Sequence, residues 1–264
     1  MPFITAGDPD LPTTAALIAE VVRRGAHLVE IGIPYSDPIA DGPVISASYH
    51  RALTNGVRLD GIFDTLRTLR AGAPTGPMAV APLVTMVSYA IIHRTGVGAY
   101  LGQAAGAGVD GLIVPDLPVE ESESLLTQVS DAGLKLIQLV TPTTPRDRAV
   151  QIARTTTGFL YYVSVAGITG ERKALPPDLA ANVAWLRAQT KLPICIGFGI
   201  SSPEHVRALA PVADGLIVGS ALVRRLAEAG VQPRAEVVRG IGEFIAELAG
   251  ALDGVNAGMG MADA

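Results

Sequence analysis

Three carboxylates lie close together in an otherwise apolar part of the sequence. Glu30 interrupts the β-branched run at residues 28–33, and Asp37 and Asp41 follow within eleven residues in a loop rich in proline and glycine. Burying an unpaired carboxylate carries a large free-energy penalty, so Glu30 needs either a partner or a function. One interpretation is a paired core glutamate with two solvated aspartates. The pattern favours the other, which is acid–base chemistry by carboxyl groups.

Short apolar runs alternate with helical patterns along the whole chain, and we interpret each run as a strand. This alternation predicts parallel pairing, and eight such units favour an α/β fold, a single (β/α)8 TIM barrel. We expect one barrel domain over 1–254, an extra C-terminal helix over 234–252 and a disordered tail over 255–264. The eight predicted strands are 3–6, 28–33, 78–87, 111–114, 135–140, 159–164, 193–197 and 215–218.

The ends of the predicted strands carry the chemistry in a barrel of this kind. Asp116 follows the fourth run, and the segment 166–170 after the sixth contains two glycines, Gly167 and Gly170, as expected at the base of a mobile lid. Residues 197–202 and the pair Gly219-Ser220 follow the seventh and eighth runs. Glycine lets the backbone approach an anion, and helix-start N–H groups donate to it, so these two turns together predict a phosphate site.

Composition argues against several other classes of protein. The 264 residues carry a net charge of −5 with no basic run, so nucleic-acid binding has no electrostatic basis. The most apolar stretch, 78–92, is too short to span a bilayer. The single cysteine, Cys195, excludes an intrachain disulfide, and no signal peptide is recognised before the first run, so we expect a cytoplasmic protein.

Covalent and metal-dependent chemistry also lack support in the sequence. A Schiff base needs a lysine at the carboxyl end of a strand, and none of the three lysines falls there. The histidines show no ligand spacing, and we expect no metal site. Carboxylate acid–base work on a small phosphorylated molecule remains. The lysines are Lys135, Lys173 and Lys191, and the histidines are His27, His50, His93 and His205.

Several motifs together resemble the tryptophan synthase α subunit family over most of the chain. The most specific is Glu30-Ile-Gly-Ile-Pro-Tyr-Ser-Asp-Pro-Ile-Ala-Asp-Gly-Pro43. The resemblance implies a barrel that cleaves indole-3-glycerol phosphate to indole and glyceraldehyde 3-phosphate without a cofactor. The other motifs are Phe3-Ile-Thr-Ala-Gly-Asp-Pro9, Val114-Pro-Asp-Leu-Pro118, Ala166-Gly-Ile-Thr-Gly170, Gly197-Phe-Gly-Ile-Ser201 and Gly219-Ser-Ala221.

The same resemblance implies roles for individual residues. Glu30 corresponds to the general acid–base, Asp41 to the group that holds the indole N–H, and Tyr161 to the tyrosine beside the substrate. Phe3 would line the indole pocket and Thr169 would contact Asp41 in the closed lid. The phosphate contacts would be Gly170, Phe198, Gly199, Gly219 and Ser220.

The family works as an α₂β₂ complex with a β subunit, and the loop carrying Pro34 and Asp37 matches its docking loop. This sequence departs from the family in starting at the first strand, without the usual preceding helix, and we expect lower stability from this. It also has Ser88 in place of a pocket aromatic and Ala90 in place of an asparagine associated with β contact. Three alternatives therefore stay open: a lyase that releases indole without β, a non-catalytic barrel that activates a partner, and another phosphate-binding barrel enzyme.

Overall fold

The computed structural model describes residues 1–38, 41–163, 178–197, 199–227 and 232–260, with side chains up to residue 255. Short parallel strands alternate with helices throughout these ranges. Each strand is a β-branched or aliphatic segment with both faces covered, as parallel sheets require. The strands are β1 (Phe3–Thr5), β2 (Val29–Gly32), β3 (Leu83–Met86), β4 (Gly111–Ile113), β5 (Lys135–Ile137), β6 (Leu139–Val140), β7 (Leu160–Val163), β8 (Ile194–Gly197) and β9 (Gly215–Ile217).

The strands form a closed barrel. Strands β1 to β5 pair in order, as do β6 to β9. A parallel bridge joins Pro2 to Val218, and the Phe3 N–H donates to the Val218 carbonyl at 2.9 Å, so the first strand meets the last. The Tyr161 N–H donates to the Gln138 carbonyl at 3.1 Å beside the join between β5 and β6. The predicted TIM barrel is confirmed.

Side chains alternate between the barrel interior and the layer beneath the helices. In β2, Val29 and Ile31 belong to the outer core, whereas Phe3, Val84 and other inward side chains form the interior. Phe3 and Val84 are the register partners of Glu30 on either side. Because neighbouring residues in register point to the same face of a sheet, Glu30 faces the interior.

Helices surround the barrel, and α2 matters most for the site. It follows the aspartate loop, starts with Pro43 at its first turn and buries one stripe of side chains that includes Ile45 and Tyr49. The helices are α1 (Leu11–Arg23), α2 (Pro43–Thr54), α3 (Leu59–Ala71), α4 (Pro77–Val80), α5 (Tyr89–Thr95), α6 (Val97–Gly106), α7 (Ser122–Asp131), α8 (Arg146–Arg154), α9 (Leu179–Arg187), α10 (Pro203–Leu209), α11 (Ser220–Ala227) and α12 (Arg234–Gly260). No helix within the described ranges is long and apolar enough to cross a membrane.

Two predicted strands differ from the observed ones. The run 78–87 contains α4 and then β3, because Pro82 between them cannot donate a backbone hydrogen bond. The run 135–140 is divided at Gln138, whose amide turns outward to accept from the Ser122 hydroxyl (2.7 Å) and to donate to the Thr155 carbonyl (2.7 Å). This buried network takes one residue out of the regular ladder.

The C-terminal helix is longer than the sequence predicted. It continues from Arg234 to Gly260, past the expected end at residue 252. The backbone of residues 255–260 is therefore helical, and the disordered tail expected over 255–264 stays a prediction. The end of the predicted tail, 261–264, lies outside the described residues.

Candidate active site

Glu30 is the most strongly perturbed carboxyl group of the barrel interior. It is 1% exposed, and its Oε1 atom has no hydrogen-bond partner among the described residues. Burial, with a further contribution from the nearby Asp41 carboxylate, raises the pKa of Glu30 to about 8. A carboxyl with this pKa holds a proton at neutral pH and can still release it, which suits a group that must both donate and accept.

Asp41 lies at the mouth of the barrel, between the end of β2 and the start of α2. Burial, and then the charge of Asp116, raise the pKa of Asp41 to about 6, so it is mostly ionised at neutral pH. No hydrogen bond to its carboxylate is found among the described residues. Its two oxygens are thus available to an N–H group of a ligand.

Tyr161 faces the barrel interior, and its neighbour Tyr162 faces the outer core. Burial and the charges of Glu30 and Asp41 raise the pKa of Tyr161 well above its ordinary value, so its hydroxyl stays neutral. Of the two adjacent tyrosines, it is Tyr161 that the fold brings to the carboxylates. Alternation along β7 is the physical reason.

Phe3 connects the acid–base end of the site to the glycine turns. Its ring covers Gly32, where an added Cβ would overlap the Phe3 ring and lie 2.9 Å from the Tyr49 hydroxyl. A Cβ on Gly219 would lie 3.7 Å from the Phe3 Cβ. One phenylalanine side chain therefore spans the distance from the strand of Glu30 to the turn at Gly219.

The two glycine turns after β8 and β9 are neighbours, because Gly197 and Ile217 are register partners. Gly199 has a φ of +50°, a left-handed conformation that favours glycine. Gly219 directly precedes α11, which begins at Ser220, and the first backbone N–H groups of a helix can donate to an anion. Three other predicted contact residues, Thr169, Gly170 and Phe198, lie outside the described residues.

A cavity of about 310 Å³ opens beside Asp41 and extends toward the loops after β3 and β4. Its walls combine apolar surface with the carboxylates of Asp41, Asp37 and Asp116. It is lined by Ile33, Tyr35, Asp37, Pro38, Asp41, Tyr49, Met86, Val87, Ser88, Pro115 and Asp116. An aromatic ring with one N–H donor fits this combination of surfaces. In the described part of the chain, no group of three His, Cys, Asp or Glu side chains could hold a metal ion.

The residues expected at a partner interface differ in their accessibility. Asp37 is exposed, whereas Pro34 is buried and lines a second cavity of about 400 Å³ under α2, α3 and α5. Ser88, which begins α5, donates its hydroxyl to Asp116 at 2.6 Å. Ala90 is exposed beside it.

Two contributors to the site were missed or left without a role by the sequence analysis. Tyr49 lies on the buried stripe of α2, and the spacing of Ile45, Tyr49 and Ala52 after the aspartate loop could have shown it. Asp116 was recognised only as a strand-end carboxylate. Its effect on Asp41 depends on how the loops after β2 and β4 meet, which the sequence does not display.

Comparisons with known proteins agree with this geometry. A family model described as "Tryptophan synthase alpha chain" matches residues 1–251. The tryptophan synthase alpha chain of Rhodopirellula baltica is 55% identical over 260 residues, covering 96% of this chain and 92% of that one. The solved alpha subunit of Legionella pneumophila has a TM-score of 0.85 at 36% identity, covering 96% and 92%. A chain of the Pyrococcus furiosus tryptophan synthase complex has a TM-score of 0.84 at 35% identity, covering 94% and 96%. This chain belongs to the tryptophan synthase alpha chain family.

Proposed function

We propose that this chain cleaves indole-3-glycerol phosphate to indole and glyceraldehyde 3-phosphate, with Glu30 and Asp41 as its catalytic carboxyl groups and Tyr161 beside the substrate. This is the α reaction of tryptophan biosynthesis, a retro-aldol cleavage. The observation that carries the residue assignment is the buried Glu30 carboxyl, whose Oε1 has no partner among the described residues, with Asp41 lining the cavity at the barrel mouth. The surroundings raise the two pKa values unequally, to about 8 for Glu30 and about 6 for Asp41. Two carboxyls with pKa values this far apart support one protonated group that transfers protons and one ionised group that stabilises positive charge.

In the proposed reaction, Glu30 donates one proton and later accepts another. Its protonated carboxyl gives a proton to the ring carbon that bears the glycerol chain, while ionised Asp41 stabilises the positive charge that develops at the ring nitrogen. The Glu30 carboxylate then removes the proton of the hydroxyl on the adjacent carbon. The carbon–carbon bond breaks, its electrons restore the indole ring, and the aldehyde forms on the departing fragment.

The phosphate would bind at the turns formed by Gly199, Gly219 and Ser220. Support comes from the positive φ of Gly199 and from the helix start at Ser220. Phe3, between these turns and Gly32, would then contact the organic part of the substrate. Gly170, Phe198 and Thr169 are proposed on the family resemblance alone.

We also propose that the chain works in the cytoplasm with a β subunit, as one barrel domain over residues 1–254. The solved complex from Pyrococcus furiosus supports such an assembly by similarity. Exposed Asp37, and the cavity lined by Pro34, are the proposed contact region. Because Ala90 presents only a methyl group there, a lyase that releases indole without β is the second candidate.

One assay tests the activity and its dependence on β. Purified chain is given indole-3-glycerol phosphate, and indole release is followed with and without added β subunit. We expect release in both cases and a higher rate with β. An equal rate in both would support the β-independent lyase, and no release in either would refute the proposed activity.

A further inference from the structure

We propose that the hydroxyl of Tyr49 donates a hydrogen bond to a hydroxyl oxygen of the substrate's three-carbon chain and so positions the scissile bond beside Glu30. This proposal rests on the proposed function. It adds a substrate-contacting residue that lies on a helix, outside the strand ends and turns from which the rest of the site is built.

The first argument is the position of the Tyr49 side chain. The residue is 3% exposed, its ring packs with the barrel interior, and it lines the cavity beside Asp41. Its hydroxyl lies over Gly32, at 2.9 Å from where a Cβ would stand. Gly32 is two residues beyond Glu30 on the same face of β2, so the hydroxyl lies one step nearer the barrel mouth than the Glu30 carboxyl.

The second argument is the location of this hydroxyl between the two ends of the substrate. Helix α2, which carries Tyr49, packs against α11, whose first residue Ser220 is at the glycine turn. The Phe3 ring, which shares Gly32 with Tyr49, also reaches Gly219. In indole-3-glycerol phosphate, the atoms between the ring and the phosphate are carbons that carry hydroxyl groups. Tyr49 is therefore placed at the height of those hydroxyls.

The third argument is the hydrogen-bonding state of Tyr49. Among the described residues its hydroxyl has no hydrogen-bond partner. Burial, and then the charges of Asp41 and Glu30, raise the pKa of Tyr49 well above its ordinary value, so it remains a donor. The hydroxyl is not among the fully enclosed atoms that lack a partner, and Tyr49 lines the cavity, so a ligand oxygen in the cavity can accept its hydrogen bond.

The test is Tyr49→Phe, which removes one oxygen and keeps the ring. Tyr100→Phe is the matched control, because Tyr100 is also fully buried but lies in the outer core, with only a weak 3.4 Å contact to Thr85. For each variant, kcat/KM for indole release is measured together with the Kd of indole-3-propyl phosphate, in which hydrogen replaces both chain hydroxyls. Thermal midpoints confirm that all the proteins are folded.

We expect Tyr49→Phe to lower kcat/KM about tenfold, the size of one neutral hydrogen bond, and to leave the Kd of the hydroxyl-free analogue within twofold of wild type. Tyr100→Phe should change neither quantity. A kcat/KM within twofold of wild type would overturn the proposal. An equal loss for substrate and analogue would also overturn it, because it would indicate a structural role. A wild-type chain that releases no indole would refute the proposed function itself, before Tyr49 is tested.

Discussion

Two buried carboxylates at the same end of the barrel have opposite surroundings. Asp8, just after β1, is 1% exposed and receives two hydrogen bonds from Arg51, at 2.9 and 2.6 Å. Glu30, on the neighbouring strand, is equally buried, but its Oε1 has no partner among the described residues. A guanidinium compensates the first charge, whereas burial favours the protonated form of the second carboxyl.

On the proposed function, the difference separates a structural carboxylate from a catalytic one. Helix α2 serves both regions, since Arg51 from its last turn pairs with Asp8 and Tyr49 from the same helix reaches over Gly32. The Asp8 region fixes the helix to the barrel. The Glu30 region then uses that fixed helix as one wall of the cavity.

The largest expected effect comes from Glu30→Gln. The amide keeps the shape of the side chain but cannot transfer a proton, so kcat/KM for indole release should fall by about 10³-fold while ligand binding and fold are retained. Asp8→Asn is the matched control, a carboxyl-to-amide change at the same depth. Its activity per folded molecule should stay within a few-fold of wild type. Cleavage at the wild-type rate by Glu30→Gln would remove the assignment of Glu30.

Arg51→Met should have the opposite effect from Glu30→Gln, because it should lower the stability of the protein more than its activity. It leaves Asp8 charged, buried and unpaired, and we expect the free energy of unfolding to fall by up to about 3 kcal/mol, less where water reaches the partly exposed Arg51 site. Urea denaturation measures this loss, and the double variant Asp8→Asn/Arg51→Met should recover part of it. A loss no larger in Arg51→Met than in the double variant would show that the pair is not what holds α2.

Gly32→Ala tests the packing of Phe3 and Tyr49 against β2. The added methyl would overlap the Phe3 ring and crowd the Tyr49 hydroxyl, so we expect a loss of about 1–3 kcal/mol in stability together with reduced activity. Gly102→Ala is the control, since Gly102 is exposed within α6 with no neighbour within 4 Å, and alanine there should stabilise the helix by up to about 1 kcal/mol. If Gly32→Ala were as stable and active as wild type, the close packing at β2 would have no functional role.

The smallest effect concerns the pH profile. Asp41 must be ionised and Glu30 protonated at the start of the reaction, so kcat/KM should fall below about pH 6 and again above about pH 8. Because the charge of Asp116 helps to raise the pKa of Asp41, Asp116→Asn should move the acid limb to lower pH by a fraction of a unit and leave the alkaline limb in place. A shift of the acid limb upward would contradict this electrostatic account.

The sequence predicted the barrel and drew attention to several residues of the candidate site because both depend on short-range signals. A charged residue in an apolar run revealed Glu30, and glycines after the last strands predicted the turn at Gly219. What it did not predict depends on contacts between distant segments. Helix α2 was not recognised as a wall of the site, so Tyr49 was overlooked. The break at Gln138 was missed because its partners come from distant segments: Ser122 begins α7 and Thr155 directly follows α8.

The junction of Pro2 with Val218 has a consequence for the synthesis of the protein. Until the last strand leaves the ribosome, β1 presents an unpaired edge, and the sheet can only be an open, twisted ribbon. The Glu30 strand pairs with β1, so its final environment is complete only when nearly all of the chain has been made. A nascent chain that stalls before β9 would carry every acid–base residue proposed above and would still lack the enclosure that buries Glu30.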